Sequence, residues 1–237
     1  MGGKTADEGI ALYRAGNYAE SLTYFLSLPA AAGGDAESAY FIGLSYMKLK
    51  RYEDALLYLE QVVTSAGSDD SRTRERSLQC RLVLAVIYSL TGRSRLADFE
   101  LKNLEGTGYR PSYVNAALAY VAWEQSKFDE CIAYYEKALE LEPENGTALN
   151  GLGYVLACTE KDLTRALTLC KRALGFMPES AACLDSVGWV YYKLGLLKEA
   201  EIHLRKARER CAGNPEIAEH LKIVQEAAAG AGGGMNK

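Results

Sequence analysis

Few residues of this chain have the type and spacing that catalysis or metal binding requires. The two histidines, His203 and His220, lie among charged residues of predicted helices, so we expect both to be solvated surface side chains. Neither has a cysteine or acidic partner at the spacing of a metal site. No serine or cysteine nucleophile signature is present. Gly3-Lys4-Thr5 lacks the upstream glycine and the strand of a phosphate-binding loop. We therefore predict no enzyme activity, no cofactor and no metal ion.

The six cysteines are scattered along the chain, without a Cys-x-x-Cys pair. This pattern is typical of small, buried apolar side chains in a reducing compartment. Free cysteines and the lack of an export signal behind Met1 favour the cytoplasm. The alternative is an exported, lipid-anchored protein whose signal is missing from this sequence. No run approaches the roughly 18 apolar residues of a membrane-spanning helix, so we predict no transmembrane segment.

One local stretch is strongly basic, because Glu75 alone offsets six arginines between positions 72 and 95. The plainer interpretation is an extended, solvated helix. The alternative is a contact patch for an acidic protein or a lipid head group, formed by Arg72, Arg74, Arg76 and Arg81. Nucleic acid is disfavoured as a partner because no aromatic residues interleave with the arginines. The net charge of −4 also argues against it.

The elements that must position these residues repeat along the chain. Small residues recur at a period of 34, as the spacings from Gly9 to Gly43, Ala85 to Ala119 and Ala119 to Gly153 show. A spacing of 35 from Gly153 to Gly188 indicates one extra turn residue near Lys161. A spacing of 42 from Gly43 to Ala85 indicates an eight-residue insertion around Asp70 to Ser77. Such self-similarity is typical of stacked helical repeats.

The period and the alternation of small and large residues resemble the tetratricopeptide (TPR) repeat. The resemblance implies an all-α, right-handed superhelical solenoid of about six helix-turn-helix repeats. These begin near residues 2, 36, 78, 112, 146 and 181 and form a single domain over 1–229. Pro143 and Pro178 end two second helices. An amphipathic helix over 215–229 would cap the last repeat, and we predict that the glycine-rich tail 230–237 is disordered.

In TPR proteins the first helix of each repeat lines the concave face, and the resemblance carries this expectation to the present chain. Tyr120, Tyr154 and Trp189 would occupy one slot in three successive repeats, which makes an aromatic ladder suited to an extended peptide. Asn150 and Asp185 beside it could bind the backbone amides of such a peptide. The predicted partner-binding residues in the concave groove are Tyr120, Trp123, Asn150, Tyr154, Asp185, Trp189 and Tyr192. The alternative is that these side chains serve packing alone.

The terminal-carboxylate clamp of TPR co-chaperones is not expected, because the corresponding positions carry Ala6, Ile10, Phe41, Gln79 and Val83. The segments 150–157 and 184–192 resemble a pairing found in bacterial TPR proteins of cell-envelope assembly. We therefore predict a protein–protein interaction scaffold whose partner is another protein or a peptide segment. The alternatives are a structural subunit that forms homo-oligomers, and a TPR protein that holds a lipid or another hydrophobic small ligand.

Overall fold

The computed structural model describes residues 6–28, 36–65, 71–211 and 213–233, and within these ranges the chain forms thirteen α-helices and no strand. None of these helices is long and apolar enough to cross a bilayer. The all-α prediction is therefore confirmed. The chain divides into two compact units, residues 1–109 and 110–237.

The first unit contains six helices and the second unit seven. The first six are α1 (Ala6–Arg14), α2 (Tyr18–Leu26), α3 (Ala36–Lys48), α4 (Tyr52–Ser65), α5 (Ser71–Leu90) and α6 (Ser94–Glu105). The second unit has α7 (Pro111–Glu124), α8 (Phe128–Leu141), α9 (Gly146–Cys158), α10 (Leu163–Phe176), α11 (Ala181–Lys193), α12 (Leu197–Arg210) and α13 (Pro215–Gly233). Within each unit every helix packs against its neighbours in sequence and every odd-numbered helix against the next odd-numbered one.

A tight turn joins the two helices of each pair, and one residue in each of the six turns has a positive φ. Glycine adopts this left-handed conformation most easily, and it does so in three of them; the six residues are Gly16, Lys50, Gly92, Ser126, Glu160 and Gly195. Five turns have three residues between helices, whereas the turn between α9 and α10 has four, from Thr159 to Asp162. The extra residue lies where the spacing predicts it, beside Lys161.

Glycines at the repeated small positions lie where paired helices approach each other most closely. A Cβ atom on Gly153 of α9 would lie 2.4 Å from Cys170 Sγ of α10, and one on Gly188 of α11 would lie 2.7 Å from Leu204 Cγ of α12. No side chain fits at either position without displacing its neighbour. The recurrent small residues of the sequence are therefore contact points between helices.

The structure corrects two predicted boundaries. The third repeat, predicted to begin near residue 78, begins with α5 at Ser71, so residues 71–77 lengthen this helix to 20 residues. The arginine and glutamate residues of the insertion are good helix formers, which explains the extension. Helix α13 continues to Gly233, past the predicted end at Ala229 and into the predicted disordered tail. Residues 2–5, Asp70 and 234–237 lie outside the described residues.

The six cysteines are free thiols, and four of them are buried between helices. Burial raises the pKa of Cys80, Cys131 and Cys170 to about 12. These side chains act as small apolar residues of the core.

Candidate functional site

The second unit contains a cavity of about 330 Å³ between its odd-numbered helices, and we call it the groove cavity. Five of the seven predicted partner-binding residues line it, namely Tyr120, Trp123, Asn150, Tyr154 and Asp185. They come from α7, α9 and α11, which are the first helices of three successive pairs. The remaining predicted residues, Trp189 and Tyr192, do not line this cavity.

Aromatic rings form one wall of the groove cavity. The rings of Trp123 and Tyr154 meet edge to face with their centroids 5.8 Å apart, a preferred geometry for aromatic pairs. Trp123 also contacts the ring of Phe128, at 5.3 Å between centroids. These contacts hold the rings in place, so the wall is preformed rather than assembled on binding.

Helix α13 closes the end of this surface, in the position that the first helix of a pair takes in the earlier repeats. Its His220 follows Asp185 by 35 residues, as Asp185 follows Asn150. Asn214 caps the helix, because its side-chain Oδ1 accepts hydrogen bonds from the backbone N–H groups of Glu216 at 2.9 Å and Ile217 at 3.3 Å. The cap fixes where the helix begins and hence which residues face α11.

His220 is buried against α11, contrary to the sequence prediction of a solvated surface side chain. Its Nδ1 lies 3.0 Å from both carboxylate oxygens of Asp185, and its ring stacks on Trp189. Its neighbours Glu219 and Lys222 suggested an exposed position, and both are exposed, but His220 itself faces Asp185 of α11. The 35-residue spacing from Asp185 was the signal that could have placed it correctly.

Two residues predicted to contact a partner, Asp185 and Trp189, therefore contact His220 of the chain itself. Burial raises the pKa of Asp185, while the hydrogen bond from His220 opposes that rise. The hydroxyl of Tyr154 donates a hydrogen bond of 2.8 Å to Glu216 Oε1 on α13. Asp185 thus does not offer a free carboxylate to peptide amides, and Trp189 is covered by a ring of the chain itself.

Among the predicted residues that line the groove cavity, Asn150 has a buried hydrogen-bonding atom without a partner in the described part of the chain. Its side-chain Oδ1 is buried and has no hydrogen-bond partner among the described residues. A buried acceptor without a donor costs free energy, about 1–3 kcal/mol in typical proteins. A bound group with an N–H donor would remove that cost.

Two of the four arginines of the predicted basic patch are paired with glutamates of neighbouring helices. Arg76 forms an ion pair with Glu37 of α3. Arg81 forms another with Glu100 of α6, at 2.7 Å between Nη1 and Oε2. Arg72 and Arg74 are exposed on α5. A cavity on this side of the first unit has three acidic and three basic side chains in its lining: Asp7, Glu37, Glu75, Arg14, Arg72 and Arg76.

Comparison with known families and structures identifies the repeats. A family model described as tetratricopeptide repeat matches residues 6–71 and 116–182. A second model with the same description matches residues 180–212.

Curated relatives are similar over parts of the chain. A TPR repeat-containing protein of Pseudomonas aeruginosa is 31% identical over 176 residues, which is 72% of this chain and 29% of that protein. The Photosystem I assembly protein Ycf3 of Prochlorococcus marinus is 28% identical over 93 residues, which is 38% of this chain and 53% of that protein. The chain thus spans under a third of the first relative and about half of the second.

Two solved structures share the fold at low sequence identity. A tetratricopeptide repeat protein from Parabacteroides merdae superimposes with a TM-score of 0.74 at 14% identity, over 93% of this chain and 82% of that one. The Cut9-Hcn1 hetero-tetramer of the APC/C gives a TM-score of 0.72 at 16% identity, over 92% of this chain and 42% of the matched chain.

Proposed function

Because the chain belongs to the tetratricopeptide-repeat family, we propose that it is a non-enzymatic scaffold that binds a partner polypeptide in the groove cavity. TPR repeats generally mediate protein–protein interaction. The observation that carries the proposal is the cavity between α7, α9 and α11, with its preformed aromatic wall. Rigid aromatic side chains offer a large contact area at low entropic cost.

The structure changes which residues we propose for the contact. Tyr120, Trp123 and Tyr154 provide apolar area, and rotation of the Asn150 amide would present its unpartnered Oδ1 to a backbone or side-chain N–H of the partner. Asp185 lines the cavity but is paired with His220, and Trp189 lies outside the lining and stacks on His220. The carboxylates in the cavity lining disfavour the alternative of a hydrophobic or lipid ligand.

A role in assembling larger complexes fits this scaffold. One relative carries that role in its name, as a Photosystem I assembly protein. The likeness of the segments 150–157 and 184–192 to envelope-assembly proteins makes the bacterial cell envelope the setting we propose.

The proposal is tested by selecting peptides from a random display library on the immobilised full chain. Affinities of the enriched peptides are then measured by calorimetry for the wild type, for Tyr120→Ala in the cavity, and for the control Phe176→Ala. Phe176 is exposed on α10 and lies outside the cavity lining. We expect Tyr120→Ala to weaken binding about tenfold or more, and Phe176→Ala to leave it unchanged. Circular dichroism checks that both variants remain helical.

The selection has a clear adverse outcome. If no enriched peptide distinguishes Tyr120→Ala from Phe176→Ala, the groove cavity is not the binding site. In that case analytical ultracentrifugation of the wild type tests the alternative of a self-assembling subunit, which requires oligomers at high concentration.

A further inference from the structure

We infer that the groove cavity selects a partner segment that inserts a lysine or arginine side chain. The inference rests on the proposed function and adds to it the chemical class of the anchoring residue. It is carried by three properties of the cavity that favour the same ligand chemistry: the sign of its charges, its aromatic wall and its unused acceptor.

The charged side chains that line the groove cavity are all acidic. They are Glu124 of α7, Asp185 of α11 and Glu216 of α13, and no lysine or arginine is among the described residues of the lining. His220 is the cation beside Asp185 when it is protonated. Glu124 and Glu216 are exposed, and neither carboxylate lies within ion-pair distance of a cation in the described part of the chain. An anionic ligand would therefore be repelled, whereas a cation would be attracted.

The aromatic wall also favours a cation. The faces of tryptophan and tyrosine rings carry negative charge density, which attracts ammonium and guanidinium groups. The hydrogen bond from the Tyr154 hydroxyl to Glu216 Oε1 holds a carboxylate next to this ring. A side chain that enters the cavity beside Tyr154 would meet the aromatic wall and a negative charge together.

The unused acceptor of Asn150 completes the set. Lysine and arginine head groups carry several N–H donors and no acceptor. Asn150 Oδ1 is buried and has no partner among the described residues, so a rotation of the amide that turns this atom toward the cavity would let either group donate a hydrogen bond to it. An aliphatic side chain of the same length would leave this atom unsatisfied, and a carboxylate would add a second acceptor beside it.

The cavity in the first unit provides an internal contrast. Its lining pairs the acidic Asp7, Glu37 and Glu75 with three arginines, so it has no preference for one sign of charge. The acidic character of the groove cavity is therefore a local property and does not follow from the net charge of −4 for the whole chain.

The test uses the peptides enriched on the wild type in the display selection. Each lysine is replaced by norleucine and each arginine by citrulline, which removes the charge and keeps most of the shape. We expect one such replacement to weaken binding to the wild type about tenfold, from the loss of a cation–π contact and an ion pair. Higher salt should weaken the parent peptide more than the neutral analogue.

Matched variants assign the effect to the cavity. In E124Q/E216Q the substituted side chains keep the size of the wall, and the new amide carbonyl on α13 would still accept the Tyr154 hydrogen bond. The preference for the charged peptide should fall from about tenfold to about twofold in this variant. The control E219Q/E226Q removes the same two charges from exposed positions of α13 outside the cavity, and should keep the full preference.

The outcomes separate this inference from the proposed function. Peptides that lose affinity for Tyr120→Ala but bind equally well as their neutral analogues would overturn the cation anchor and leave groove binding standing. An equal effect of E219Q/E226Q and E124Q/E216Q would also overturn it, because the preference would then arise from overall charge. If no enriched peptide depends on Tyr120, both proposals fail.

Discussion

The imidazole ring of His220 stacks on the indole ring of Trp189, with centroids 4.0 Å apart and ring planes inclined by 18°. Nδ1 of the same imidazole lies 3.0 Å from Asp185 Oδ1. Helix α13 thus covers two side chains that the sequence pattern assigned to a partner. Glu216 of α13 lines the groove cavity and Trp189 does not, so a partner bound as we propose would contact Glu216 at this end.

Removing His220 should release α13 from α11. The His220→Ala variant leaves the Asp185 carboxylate buried without its partner, and breaking a buried pair in this way costs about 3–5 kcal/mol in typical proteins. Hydrogen exchange of the α13 amides should report a loss of protection of that order. The control is His203→Ala, since the hydrogen bond of His203 in the described part of the chain goes to the Glu199 carbonyl of its own helix, at 2.9 Å, and its contact with α11 is a tilted ring pair with Tyr191. We expect less than about 1 kcal/mol there.

A double-mutant cycle identifies the cause of that release. Adding Asp185→Asn to His220→Ala removes the stranded charge, so the double variant should be less destabilised than the sum of the two single variants. Additive losses would mean that the ring stack with Trp189, and not the pair with Asp185, holds α13 in place. If hydrogen exchange of the α13 amides were unchanged in His220→Ala, neither the pair with Asp185 nor the stack on Trp189 would stabilise α13.

Glycine at position 153 should give a more stable protein than alanine there, although alanine is the better helix former by about 1 kcal/mol. A Cβ atom there would lie 2.4 Å from Cys170 Sγ and 3.0 Å from the carbonyl oxygen of Ala166. We expect Gly153→Ala to lower the free energy of unfolding of the second unit by about 1–3 kcal/mol.

Gly175 of α10 is the matched control for this substitution. A Cβ atom there would meet nothing within 4 Å, so Gly175→Ala should raise stability by up to about 1 kcal/mol. Urea denaturation followed by circular dichroism gives both values. Changes of the same sign in the two variants would contradict the packing explanation for the recurrent small residues.

The helix pairs could be predicted from the sequence because every repeat places small residues at the same close contacts between its two helices. Gly153 and Gly188 recur where backbones approach, and the prolines at 143 and 178 follow the ends of α8 and α10. The start of α5 could not be predicted from the period, since an insertion of helix-forming residues changes the helix length without changing the packing positions. The predicted end of α13 was wrong for a similar reason. Three alanines, which favour helix, precede its glycines and extend the helix without changing its packing positions.

The groove cavity was predicted only in part. Side chains at equivalent positions of α7, α9 and α11 lie together because the repeat places them together, so Tyr120, Asn150 and Tyr154 follow from the period. The contact of Tyr154 with Glu216 joins residues 62 positions apart, and it depends on how α13 docks. The sequence pattern predicted only that α13 caps the last repeat. It did not predict that the inner face of this helix lines one end of the groove cavity.

The buried cysteines should be almost inert in the folded chain. The thiolate is the reactive form, and a pKa of about 12 for Cys131 and Cys170 leaves a thiolate fraction of roughly 10⁻⁴ at pH 8. Iodoacetamide at pH 8, followed by mass spectrometry of each peptide, should label the half-buried Cys211 first. Unfolding in urea should make all six equally reactive. Rapid native labelling of Cys131 would contradict the close packing of α8.

Arg81 should act as a structural partner of Glu100 rather than as part of a contact patch. The side chain of Glu100 is 11% exposed and its Oε2 lies 2.7 Å from Arg81 Nη1. Arg81→Met would leave a nearly buried carboxylate without a cation, so we expect the first unit to lose about 1–3 kcal/mol of stability. Arg74→Met removes the same charge from an exposed position of α5 and should change stability by less than about 0.5 kcal/mol. Hydrogen exchange of the α5 and α6 amides measures both. If both variants changed stability equally little, Arg81 would not be needed to neutralise Glu100. Its charge would then be available to an acidic partner, as the predicted basic patch requires.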